Sequence, residues 1–146
     1  MSLAADSIFI AAIQSNAALM ERISGRLYGT AIPLPDEDAD NVLTPYVIVT
    51  FNGLNNQNQT KDDMYEGCYD TVNIGVEVTG ETIKDLHDLT QAVRDTILSY
   101  FRSHETAISD YTFSADAIQY DSLKPCYWQT LRYQCEVYNL NDDEQD

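Results

Sequence analysis

Between Thr71 and Val78 the even positions, Val72, Ile74, Val76 and Val78, are branched and apolar, while the odd ones are Thr71, Asn73, Gly75 and Glu77. Alternation with a period of two predicts a strand with one dry and one wet face. The next apolar positions, Ile83, Leu86, Leu89, Val93, Ile97, Tyr100 and Phe101, are spaced for one stripe of a helix. Thr82 is its expected cap, with Asp85 placed near the positive helix end. A turn at Thr79-Gly80-Glu81 lets the helix fold back so that the two apolar faces cover each other.

The same pattern predicts the rest of the chain. Leu3, Ile8, Phe9, Ala12 and Ile13 mark an amphipathic helix over Leu3–Gln14 behind Ser2, and Asn16 is placed to cap a second short helix, Ala17–Ile23, closed by Gly25. Arg26-Leu27-Tyr28 reads as either a brief strand or a turn. Pro45 opens a strand over Tyr46–Phe51, which Asn52-Gly53 is expected to end. Ala117–Tyr120 reads as a better strand than Tyr111–Phe113, and His104–Ser109 as linker. Tyr127–Tyr138 is the closing strand, with Leu131, Tyr133, Cys135 and Val137 facing one way and Thr130, Arg132, Gln134 and Glu136 the other. The expected architecture is α+β: a mostly antiparallel sheet of about four strands, with the long helix and the N-terminal helix packed on one face. One domain is expected over residues 1–138, followed by an acidic flexible tail, 139–146.

Two segments break the pattern. Thr30–Thr44 contains Pro33, Pro35 and the run Asp36-Glu37-Asp38-Ala39-Asp40, and reads as an exposed, self-repelling loop. Leu54–Gly67 is polar and long for a hairpin connection, a length that marks functional loops.

Charge narrows the partners. The 24 acidic and 8 basic residues give a formal net charge of -16. Phosphates of DNA and anionic membranes repel such a chain, so neither is an expected direct partner. No apolar run approaches the roughly 20 residues of a spanning helix, and a cytosolic, soluble protein is expected. Cys68, Cys126 and Cys135 are an odd number without a C-x-x-C pair, which favours reduced thiols over a disulfide framework.

The candidate chemistry is thin. His87 falls on the polar side of the long helix. His104 lies just past the helix end, where a cation meets the last carbonyls. The carboxylates at 36–40 lack the glycine turn and distal Glu of a calcium loop, and Gly75-x-x-x-x-Gly80 is not followed by Lys-Ser/Thr. Cys135 falls on an apolar strand face and reads as a small hydrophobe. No catalytic residue, cofactor or metal is expected, and the chain reads as a structural or binding protein, not an enzyme.

The segments Asn16-Ala17-Ala18-Leu19-Met20, Gly25-Arg26-Leu27-Tyr28 and Pro45-Tyr46-Val47-Ile48, with the central strand, its helix and the closing Leu131–Tyr138, resemble the tail completion, or tail terminator, family of long-tailed phages and prophages. The resemblance spans roughly residues 3 to 138. It implies an α+β protomer that assembles with itself into a ring, commonly a hexamer, which caps the tail tube and joins it to the head connector. The implied partners are the tail tube protein and the head connector protein, and the implied location is the virion tail, with the host cytoplasm during assembly.

A closed ring needs two different complementary patches on each subunit. Thr71, Asn73, Glu77, Thr130, Arg132, Gln134 and Tyr138, on the wet sheet face, are the expected subunit contact. Asn55, Asn56, Gln57, Asn58, Gln59, Lys61, Asp62 and Asp63 are the expected lumen or partner loop. A competing class is an acidic protein-binding module, such as a nucleic-acid mimic or inhibitor, although the carboxylates gather in a loop, a turn and a tail instead of over ordered elements. A small enzyme is the least favoured class.

Overall fold

The computed structural model describes residues 2–30, 45–56, 69–122 and 125–138. A 3-10 turn, Ser2–Ala4, leads into α1 (Asp6–Gln14), and α2 (Ala17–Arg22) follows. Then come β1 (Leu27–Gly29), β2 (Val47–Asn56), β3 (Tyr69–Gly80), the long helix α3 (Ile83–Ser103), β4 (Ile108–Ala115), β5 (Gln119–Asp121) and β6 (Cys126–Tyr138). The class is α+β, as the periodicities predict.

The sheet is mostly antiparallel, as expected, but has more strands than the expected four or so and one parallel pair. It has six, in the order β1-β2-β3-β6-β4, with β5 also on β6, and β1 runs parallel to β2. Of the two readings of Arg26-Leu27-Tyr28, the brief strand holds, as Leu27–Gly29 with Arg26 just before it. Its backbone is tied to β2 by the bonds from Val47 N–H to Arg26 O (3.0 Å) and from Thr30 N–H to Val49 O (2.8 Å). A three-residue strand has too little periodicity to announce itself. Its partner is remote in sequence, so the parallel pairing has no local signal either.

The dry face lies where the alternation puts it. Val72, Ile74, Val76 and Val78 are buried, as are Leu131, Tyr133, Cys135 and Val137 opposite them on β6. Phe9, Ala12 and Ile13 of α1 and Leu86, Leu89, Val93 and Ile97 of α3 close over this face and form one core with it. Each such side chain contributes about 1.5–3 kcal/mol on leaving water. Ile83 and Leu3, expected on the apolar stripes, are instead exposed. Ile83 is the first residue of α3, and Leu3 lies in the 3-10 turn ahead of α1.

The helix caps follow the sequence. Thr82 Oγ accepts from Asp85 N–H at 3.1 Å. Asn16 Oδ1 accepts from Leu19 N–H at 3.1 Å, while its amide donates to Thr96 Oγ at 2.9 Å, so this cap also ties α2 to α3. Gly25, at φ +72°, ends α2 in the left-handed region that glycine tolerates. Ser2 does not cap α1. The residue before that helix is Ala5, itself helical, because the 3-10 turn runs directly into it.

Three boundaries move. Thr79 and Gly80 belong to β3, not to the turn, which shrinks to Glu81-Thr82. Fully buried Thr79 is satisfied by Tyr46, whose N–H donates to Thr79 Oγ at 2.9 Å and whose carbonyl accepts from Thr79 N–H at 3.1 Å. β2 does not stop at Asn52-Gly53 but crosses them by a bulge, with Phe51 paired to Ile74 and Gly53 to Asn73, and continues to Asn56. Finally, β4 is the longer of the two strands after α3 and takes in Ile108 and Ser109. Its length comes from burial of Tyr111 and Phe113, whose rings lie 5.6 and 5.1 Å from that of Tyr133. Ala117 and Ile118 precede β5 and lie outside it.

Two contacts make this core testable. A methyl group on Gly80 would lie 2.8 Å from the backbone N and 3.0 Å from the Cα of Leu86, in the first turns of α3. Gly80→Ala therefore has to push the helix off the strand, and thermal unfolding is expected to show a loss of about 1–3 kcal/mol. Tyr133 carries a buried hydroxyl without a partner among the described residues, and burial holds its phenol well above its ordinary pKa. Tyr133→Phe removes that desolvated group while keeping the ring contacts, so it is expected to leave Tm equal or higher; a clear drop would mean that the hydroxyl is bonded in solution.

Candidate functional site

The uncovered side of the sheet carries the odd residues of β3 and the even residues of β6. Pairing places Tyr69 beside Tyr138, Thr71 beside Glu136, Asn73 beside Gln134, Gly75 beside Arg132 and Glu77 beside Thr130. All seven residues expected at a subunit contact, Thr71, Asn73, Glu77, Thr130, Arg132, Gln134 and Tyr138, thus share one face of two adjacent strands. No helix among the described residues packs on this face.

Several residues that the periodicity does not single out complete it. An open groove of about 410 Å³ is lined by Asn52, Asn73, Thr112, Ser114, Arg132 and Gln134. Asn52, the extra residue at the bulge, leans over Gly75, where an added Cβ would lie 2.7 Å from its Nδ2. A glycine in the middle of a strong strand is the available signal for such an overlying side chain. Arg132 is not free. Asp116, just past β4, holds it by two parallel bonds, Nε to Oδ1 at 2.8 Å and an Nη to Oδ2 at 2.8 Å. That pairing holds the Asp116 carboxyl below its ordinary pKa.

Glu77 contrasts with Arg132. It is half-buried between Ile48 on β2 and Thr130 on β6, and has no hydrogen bond or ion pair to a described residue. Burial raises its pKa. Tyr46 is pushed up to about 12, first by its own burial and then by the Glu77 charge. Its ring lies 6.3 Å from that of Tyr28 of β1, so the face ends in an aromatic and acidic patch over β1 and β2.

The expected lumen loop fares differently. Asn55 and Asn56 are in β2, with Asn55 opposite Thr71 on the outer face. Asn56 is on the helix side, where its amide donates to the buried Asp70 at 2.7 Å and to Tyr69 O at 3.2 Å. Gln57, Asn58, Gln59, Lys61, Asp62 and Asp63 lie outside the described residues, as do Cys68, the run 36–40 and the tail 139–146.

His87 is exposed on α3. His104 stacks on Tyr100, with centroids 4.0 Å apart, and its Nδ1 lies 3.2 Å from Tyr100 O at the helix end. Cys135 is buried in the core, which pushes its thiol up to about 12, far from a reactive thiolate. Among the described residues no group of three or more His, Cys, Asp or Glu side chains is placed to hold a metal ion. No described helix is long and apolar enough to cross a membrane.

No protein-family model matches the chain, and no curated protein does. A structural likeness is found with one chain of the virion of the native gene transfer agent particle. The two chains share a fold. They align over 92% of this chain and 94% of the other, with a TM-score of 0.57 and 12% identity. The match therefore takes in nearly the whole of both chains and is not confined to a common strand-helix motif.

The Glu77 environment predicts a pH dependence. A carboxyl whose folded pKa is raised binds its proton more tightly in the native state than in the unfolded chain. Its contribution to stability is then full below the ordinary carboxylate value of 4.5 and is lost as pH rises through the folded value. Glu77→Gln is accordingly expected to have the higher Tm at neutral pH, with the gap to the natural protein closing as pH falls below that range. Parallel melting curves from about pH 4 to about pH 8 check this, and a constant gap would refute it.

Proposed function

We propose that this protein is a structural component of a phage-like virion, a tail terminator that forms a ring on the end of the tail tube and joins it to the head connector. The observation that carries the reading is the end-to-end fold shared with a chain of a virion particle. The resemblance of Gly25-Arg26-Leu27-Tyr28 and Pro45-Tyr46-Val47-Ile48 to the tail completion pattern supplies the more specific role.

The outer sheet face supports the same reading through its chemistry. Thr71, Asn73, Thr130 and Gln134 offer uncharged donors and acceptors, Tyr138 meets Tyr69 edge to face with centroids 5.2 Å apart, and Glu77 is a half-buried carboxylate awaiting a donor. A neighbouring subunit that supplied that donor would remove the desolvation cost Glu77 bears alone. On this reading the polar run that follows β2, Gln57, Asn58, Gln59, Lys61, Asp62 and Asp63, serves the lumen or the partner. The net charge of -16 suits a channel that passes DNA without holding it.

Negative-stain images and light scattering of the purified protein test the reading. A closed ring of about six subunits is expected, and a strict monomer at every concentration counts against it. Two neighbouring substitutions separate fold from assembly. Val76→Asp buries an unpaired charge in the core and is expected to abolish the cooperative melt. Glu77→Arg should keep the melt and lose the ring; the opposite ranking would reverse the assignment of the two faces.

A further inference from the structure

Among the described residues the sheet has one long open edge. There β4 pairs with β6 alone, and the bond from Asp116 N–H to Thr130 O (2.9 Å) sets the phase of that ladder. Residues 110, 112, 114 and 116 turn their backbone groups toward β6. Tyr111, Phe113 and Ala115 turn theirs outward. The Tyr111 N–H is covered by its neighbour, the Asp110 carboxylate, at 2.8 Å. The edge at β1 is shorter: only Leu27 and Gly29 point away from β2, and Leu27 N–H is already bonded to Gly25 O at 2.9 Å.

The charge along the β4 edge is one-sided. Asp110 lies directly across from Glu136, both side chains are exposed, and neither meets a basic side chain among the described residues. Asp116 follows at the other end, already neutralised by Arg132. On the inward side the strand offers Tyr111 and Phe113, the latter beneath the Arg94 guanidinium at 4.1 Å.

From these features we infer that the β4 edge accepts an extended, basic segment of another protein as an added strand. Tyr111, Phe113 and Ala115 supply the main-chain bonds, and lysine or arginine at alternate positions of the segment meets Asp110 and Glu136. Asp110 acts as a placeholder: it caps the Tyr111 N–H in the empty edge and swings to the incoming cation when the strand takes over that donor. A second copy of this chain is the wrong occupant. The antiparallel β4 pairing that uses all three edge residues, Phe113 on Phe113 and Tyr111 on Ala115, sets Asp110 opposite Asp116 between two chains of net charge -16 each. This inference does not rest on ring formation, because its readout is local to one strand.

The test uses the full chain and two synthetic peptides, one alternating lysine with valine and one alternating glutamate with valine. Titration is combined with amide hydrogen exchange over residues 108–116. The lysine peptide is expected to bind and to slow exchange at Tyr111, Phe113 and Ala115, while the glutamate peptide does neither. Asp110→Lys, at an exposed position, should weaken the lysine peptide by roughly tenfold and abolish the preference for it. Ala115→Pro removes one outward donor without touching the β6 ladder and should also weaken binding. Absence of lysine-peptide binding, equal binding of the two peptides, or protection elsewhere on the chain would each overturn the inference. Edge amides already protected in the protein alone would assign the edge to a second copy and overturn it as well.

Discussion

The approach of the α3 backbone to Gly80 is the contact on which the rest of the arrangement depends. Only Glu81 and Thr82 separate the last residue of β3 from the first of α3, so the chain must reverse at once and bring helix against strand. With a Cβ at position 80 the first turns of the helix could not sit so low. Because they do, Leu86 and Leu89 reach the valines of β3. The stripe then continues along Val93 and Ile97 to the aromatic group of Phe9, Phe101, Tyr111 and Tyr133. The depth of that one crossing sets the thickness of the whole layer.

A sheet covered by helices on one side divides the labour of its residues. The inner side chains are committed to the core. The outer ones on β3 and β6 are polar and flat, apart from the Arg132–Asp116 pair and the strained position of Glu77. Among the described residues such a division leaves an outer face and an edge uncovered, and they present different groups: side chains on the face, main-chain groups on β4. The Cys135 thiol and the Tyr133 ring are taken up by packing, and His104 by the end of α3.

What could be read from the sequence was whatever repeats with a short period. β3, β6 and α3 each present a long alternating or helical pattern, and their buried faces follow from it residue by residue. The two caps, Thr82 and Asn16, follow from local hydrogen bonding. The elements whose existence or extent the local pattern leaves open or shifts depend on distant partners. β1 exists because β2 passes beside it, β4 outgrows its own weak pattern because Tyr133 receives its rings, and the bulge at Asn52 lets β2 run past residues that look like a stop. The outer face was legible by subtraction, as the residues left over from the core, whereas Asn52, Thr112, Ser114 and Asp116 join it only through strand order. Asp116 in particular reaches Arg132 across sixteen residues of chain.

β6 is the hub of the sheet, flanked by β3 on one side and by β4 and β5 on the other, yet it comes after all of them in the chain. During synthesis β3, β4 and β5 therefore leave the ribosome before the strand that joins them exists. Until Cys126–Tyr138 emerges, the dry side of β3 has α3 to lie against but lacks its neighbour, and the β4 aromatics have no Tyr133 to pack on. At that stage β3 has β2 beside it but its other edge lacks β6, and a bare edge on a branched-apolar strand is the kind of segment that associates with other chains if it waits too long. A net charge of -16 makes two such chains repel each other, which opposes that association.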